Sequence, residues 1–270
     1  MTDRLSNSRF AKRFGLTKPI ALAPMAGASG ADLTAACCKA GALGLLGGGY
    51  GDREWTEREY AITTQTLSTD PAAAARLGCG FITFKMEQDR SALDYVLERE
   101  TKPAALMLSF GDPTSFARDI KDRGIPLICQ IQSMAQLPQA VEAGADVIVA
   151  QGVEGGGHGY SAYEGRSTFT FLPEIADWLA GHAPEVMLLA ADGVADGRGL
   201  AVAVDASGDD TVRSLVFDVL REKSWPGEYH ARTLRNEIHR EWEDRSEEQR
   251  ANPAAAIAAI SEKALGLLGS

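Results

Sequence analysis

Between residues 19 and 206 the chain repeats one unit: a short apolar run, a break rich in glycine or polar residues, and a longer stretch with helical spacing. The apolar runs fall at 19–23, 43–46, 79–83, 104–109, 126–132, 146–150 and 186–190. Helical patterns follow them at about 32–40, 56–65, 91–100, 114–123, 134–143, 171–180 and 199–206, with Ser91 as a candidate N-cap. Runs that are apolar on both faces and separated by helices indicate parallel strands with both faces covered. Seven such units of similar length favour a closed TIM-type (β/α)8 barrel over an open doubly wound sheet.

The repeat stops after Ser207. A stretch at 215–219 has strand character but is interrupted by Asp218, so the pattern lacks a regular eighth strand. The expected organisation is an α/β barrel over residues 1–208, incomplete by that strand. A helical extension, 209–270, then packs on it.

A length of 270 residues suits one barrel, which typically takes about 250. Apolar residues make up 45% of the chain, enough for a core without disulfides or metals, and the net charge is −10. That charge argues against nucleic acid and anionic lipid as partners, because both need a basic surface. Cys37, Cys38, Cys79 and Cys129 form no CxxC pair and no zinc-spaced cluster with histidine, so buried free thiols and no metal site are expected. The first fourteen residues hold no apolar signal core, and no run approaches the ~18 apolar residues of a membrane span. The expectation is a soluble, cytoplasmic protein.

In such a barrel the active site is built from the loops at the C-terminal ends of the strands. The first strand ends in Ala23-Pro24-Met25-Ala26-Gly27, where small residues let a planar ligand approach and the Met25 amide is expected to be free to donate. The fifth carries Gln130 and Gln132, which share one face, either the interior or the helix layer. The sixth leads into Gly155-Gly156-Gly157-His158-Gly159, placing an imidazole in a crowded loop suited to proton transfer or anion binding. The seventh leads into Ala190-Ala191-Asp192-Gly193, continuing to Gly199, read as a glycine-containing loop at a helix N-terminus that could hold phosphate.

Taken in order, Ala23-Pro24-Met25-Ala26-Gly27, Ala40-Gly41-Ala42-Leu43-Gly44, Ser109-Phe110-Gly111-Asp112-Pro113, the glycine-rich His158 loop and the Ala190 to Gly199 loop resemble the nitronate monooxygenase family. The resemblance covers about residues 19–206 and implies an FMN-dependent barrel that oxidises alkyl nitronates or nitroalkanes with O2 to a carbonyl compound and nitrite. It makes His158 the catalytic residue. Ala23, Pro24 and Met25 would back the flavin ring, Thr83 and Gln130 would sit near it, Gly156 and Gly157 would line it, and Ala191 and Gly193 would bind its phosphate. The chain departs from the family in having Asp192-Gly193 where two glycines are usual. It also lacks the Gly-Thr phosphate loop that ends the family's eighth strand. Two other functions stay open on these grounds: a flavin-free binding protein, and a related FMN-dependent enoyl reductase.

Overall fold

The computed structural model describes residues 7–153, 165–192 and 200–204. The chain divides into two units, Met1–Arg213 and Ser214–Ser270, and every described residue lies in the first. The expected helical extension at 209–270 therefore lies outside the described residues.

The elements alternate along the chain. They are α1 (Arg9–Phe14), β1 (Ile20–Leu22), α2 (Ala31–Lys39), β2 (Gly44–Gly49), α3 (Arg53–Leu67), α4 (Pro71–Ala74) and β3 (Leu77–Ile82). Next come α5 (Thr83–Met86), α6 (Ser91–Leu97), β4 (Leu106–Ser109), α7 (Thr114–Asp122) and β5 (Leu127–Ile131). A 3-10 turn, Met134–Gln136, precedes α8 (Leu137–Glu142), then β6 (Val147–Gln151), α9 (Thr168–His182), β7 (Met187–Asp192) and β8 (Leu200–Val204). Helix starts follow local chemistry. Asp52 accepts from the Trp55 amide at 2.9 Å to begin α3, and Asp70 accepts from Ala73 at 2.9 Å, with Pro71 at the first position of α4. Ser91 is not a cap: it is the first residue of α6, and its amide donates to Asp89.

The sheet has eight strands in the order β1-β8-β7-β6-β5-β4-β3-β2. It closes into a barrel where Ala21 bridges Leu43, with Leu22 N donating to Leu43 O and Leu43 N to Ile20 O, both at 2.9 Å. Strands β2 to β7 run parallel, from Gly44↔Leu77 to Gln151↔Ala191, with one register shift between Gly47 and Gly49.

The eighth position corrects the sequence reading. Residues 200–204, expected within a helix, form a strand antiparallel to both neighbours, with Val202 opposite Ile20 and Ala190. The run Leu200-Ala201-Val202-Ala203-Val204 has β-branched residues at alternate positions, and pairing to two strands overrides any helical tendency. No parallel eighth strand occurs among the described residues.

Alternation along the strands separates two apolar layers. Leu43, Leu45, Met107, Ile128, Val147, Val149, Met187 and Leu189 form one interior cluster. Leu46, Cys79, Phe81, Leu106, Leu108, Leu127, Cys129 and Ile148 take the opposite parity, buried to within 2%. The interior cluster also contains Phe10, Phe14 and Leu16. Helix α1 therefore plugs the N-terminal end of the barrel. Its start is capped by Ser8, which accepts from Ala11 N at 3.2 Å, and it ends on Gly15 at φ 60. Arg9 clamps it to the far side by donating to the carbonyls of Pro184 and Glu185.

Candidate active site

At the C-terminal ends of β4, β5 and β6 the inward positions switch from apolar to polar. Ile128 belongs to the interior cluster, so Gln130 and Gln132, two and four residues on, face the interior and not the helix layer. The same step from Met107 gives Ser109, and from Val149 gives Gln151. These four side chains form one network. Ser109 Oγ donates to Gln130 Oε1 at 3.0 Å, and Gln130 Nε2 donates to Gln151 Oε1 at 2.5 Å. Gln132 Nε2 donates to the same Gln151 Oε1 at 2.9 Å. Ser109, Gln132 and Gln151 are buried, whereas Gln130 keeps partial exposure. The network carries no formal charge.

Across the barrel stands a ledge. In the eight-stranded ring β5 lies four places from β1, so the ends of these strands face each other over the mouth. The segment Ala23-Pro24-Met25 leaves β1 and crosses the inner faces of β2 and β3. A Cβ on Gly80 would stand 2.5 Å from Pro24 Cβ, and one on Gly47 would stand 2.7 Å from the Met25 carbonyl carbon. Only glycine at both places admits this backbone. Ser29, fully buried, locks the ledge: its hydroxyl donates to Ala23 O at 2.7 Å and accepts from Met25 N at 3.1 Å. The Met25 amide also donates to Ala23 O. It is thus engaged within the turn and not free, contrary to the sequence expectation. Ala23, Pro24 and Met25 each keep partial exposure.

Two further expected residues lie at the mouth. Thr83 follows β3 at the first position of α5, and its fully buried Oγ1 has no hydrogen-bond partner among the described residues. Such an atom is the kind that a bound ligand or an ordered water satisfies. Ala191 pairs with Gln151 and Ala201, and its carbonyl accepts from Thr168 Oγ1, which in turn accepts from Gly152 N. Gly156, Gly157, His158 and Gly193 lie outside the described residues. Over the described residues 200–204, the helix expected from about Gly199 is strand β8 instead.

Sequence reasoning missed Ser29, Ser109 and Gln151 as site residues. Ser109 and Gln151 could have been found by carrying inward parity two residues past the last apolar position of β4 and β6. At the opposite end, a recess of about 480 Å³ is lined by Arg9, Arg13, Lys121, Gly144, Asp146 and Glu185. That end of a β/α barrel serves stability, and the recess lies far from the polar mouth. Among the described residues no group of histidine, cysteine and carboxylate side chains could hold a metal, and no helix is long and apolar enough to cross a membrane.

The chain as a whole is similar to known proteins. The family model described as nitronate monooxygenase matches residues 64–213. A nitronate monooxygenase of Paraburkholderia phytofirmans is 30% identical over 246 residues, covering 76% of this chain and 64% of that protein. One of Neurospora crassa is 30% identical over 231 residues, covering 76% and 61%. Among solved structures, a mutant of FabK from Thermotoga maritima superposes with a TM-score of 0.59 at 24% identity, over 70% of this chain and 58% of that one. Nitroalkane oxidase from Streptomyces ansochromogenes gives 0.54 at 21%, over 68% and 60%. The chain thus spans somewhat under two thirds of the length of these relatives.

Proposed function

The chain belongs to the nitronate monooxygenase family, and from that premise we propose that it is a flavin oxidoreductase whose FMN lies across the barrel mouth, oxidising alkyl nitronates with O2 to a carbonyl compound and nitrite. The observation that carries this reading is the pairing of a locked backbone ledge, Ala23-Pro24-Met25, with the Gln130 network on the opposite wall. A rigid backbone surface on one side and an amide edge on the other are what a flat, polar-edged ring system calls for, and the described residues match it in kind. The ledge is apolar and too tightly seated on Gly47 and Gly80 to shift. Gln130 offers an amide edge, and Thr83 offers a buried hydroxyl.

Bound there, a flavin supplies the electron-accepting chemistry, and the protein supplies position and electrostatics. The ledge excludes water from one face of the ligand. The neutral glutamine network orients a polar edge without adding charge. His158 takes the proton role that the family resemblance gives it: as imidazolium it attracts the anionic nitronate, and as neutral imidazole it removes the α-proton of a nitroalkane. The family resemblance gives Ala191 and Gly193 the role of binding the flavin's phosphate.

The test is anaerobic mixing of the FMN-loaded chain with an alkyl nitronate. Bleaching of the flavin absorbance is expected, and an unchanged spectrum would sink the assignment. His158→Asn should abolish nitroalkane turnover while leaving flavin binding intact. A colourless protein that fails to take up added FMN would instead favour the flavin-free binding protein.

A further inference from the structure

The direction of the hydrogen bonds in the mouth network has a consequence for what Gln130 can recognise. Gln151 Oε1 accepts two N–H groups, from Gln130 and Gln132, and so fills both of its lone pairs. Gln130 must then present nitrogen, not oxygen, toward Gln151. Its own oxygen is turned to Ser109, whose hydroxyl donates to it. A primary amide has two N–H donors, and only one of Gln130's is used by the described residues. Because Ser109, Gln132 and Gln151 are buried, the unused donor sits on the only partly exposed member of the four.

We propose that Ser109 and Gln151 are positioning residues that fix the amide of Gln130 as a hydrogen-bond donor toward the ligand in the barrel mouth, so that the atom bound there is an acceptor such as a ring carbonyl, ring nitrogen or nitro oxygen. This rests on the flavin reading only for the identity of the ligand; the polarity follows from the network alone. The device resembles a latch. A glutamine by itself can rotate its amide and serve donors and acceptors alike, whereas one held between a hydroxyl and a saturated carbonyl cannot turn without breaking two partly buried bonds.

The experiment uses the full chain labelled with nitrogen-15 and follows the two side-chain amide protons of Gln130. In the ligand-free protein one proton should exchange slowly with solvent and the other quickly. In Gln151→Leu and in Ser109→Ala both should exchange quickly, and Ser109→Thr, which keeps the hydroxyl, should restore the slow proton. Adding FMN to the wild-type chain should protect the second proton. Affinity for FMN should fall about fivefold in Ser109→Ala and recover in Ser109→Thr, the size expected for one lost hydrogen bond. Gln130→Glu, which replaces the donor with an acceptor, should shift the flavin absorption bands. Two equivalent, fast-exchanging protons in the wild type, or exchange unaltered by both variants, would overturn the proposal. If FMN does not bind the wild-type chain the flavin reading falls, while the ligand-free spectra still decide the latch.

Discussion

Single atoms decide the shape of the mouth. The ledge exists because residues 47 and 80 have no Cβ, and the two sites differ in what a methyl group would strike. At Gly80 it meets the ring of Pro24; at Gly47 it meets the peptide of Met25, which no rotamer change can move aside. Gly47→Ala should therefore lift the ledge, cost about 1–3 kcal/mol of stability by overpacking, and weaken FMN binding more than Gly80→Ala does. Urea titration and flavin titration of the two variants measure both effects. The thiols give a second expectation. Burial pushes Cys38 up to about 11 and Cys79 and Cys129 up to about 12, and it raises the half-buried Cys37 as well. Reaction requires thiolate and access, so iodoacetamide at pH 8 should label Cys37 first and leave Cys79 and Cys129 unmodified until the protein unfolds. Mass spectrometry of a time course would show the order.

At the scale of elements, the parallel part of the barrel was legible because each strand from β2 to β7 is buried on both faces and each helix between them carries its own spacing. What escaped had short or mixed signals. Helix α1 has six residues and reads as a charged start, yet Phe10 and Phe14 stand one turn apart and pack into the barrel interior. Strand β8 reads as helix in the sequence because alanine and valine alternate there without a turn signal that marks a strand, and its identity comes from pairing with β1 and β7. Of the site, the Ala23-Pro24-Met25 turn and Gln130 were legible from residue type and position on the strand. The engagement of the Met25 amide was not, because it depends on Ser29 returning to the turn. Two substitutions weigh these elements. Phe10→Ala should cost about 3–5 kcal/mol, as large aromatic truncations in a core do, and a urea midpoint well below the wild type would show it. Val202→Pro removes an amide from a strand paired on both sides, so hydrogen exchange in β1 and β7 should accelerate while β4 and β5 stay protected.

For the molecule as a whole, the barrel wall couples stability to alkaline pH. Cys79 on β3 and Cys129 on β5 sit at outward positions sealed beneath the helices, and Cys38 on α2 is likewise buried. In the unfolded chain these thiols ionise near 8.5. In the folded chain they hold their protons to about 11 or 12. Between those limits the unfolded state has released protons that the native state keeps, so unfolding gains free energy as pH rises. The contribution is complete below about pH 8.5 and is lost progressively as pH climbs toward 12. Tyr60, also raised by burial, acts in the same sense. The urea midpoint should accordingly fall steadily above pH 9, and Cys79→Ala, although less stable at neutral pH, should show a shallower fall. Parallel slopes for the two proteins would place the alkaline sensitivity elsewhere than in the sealed thiol of β3.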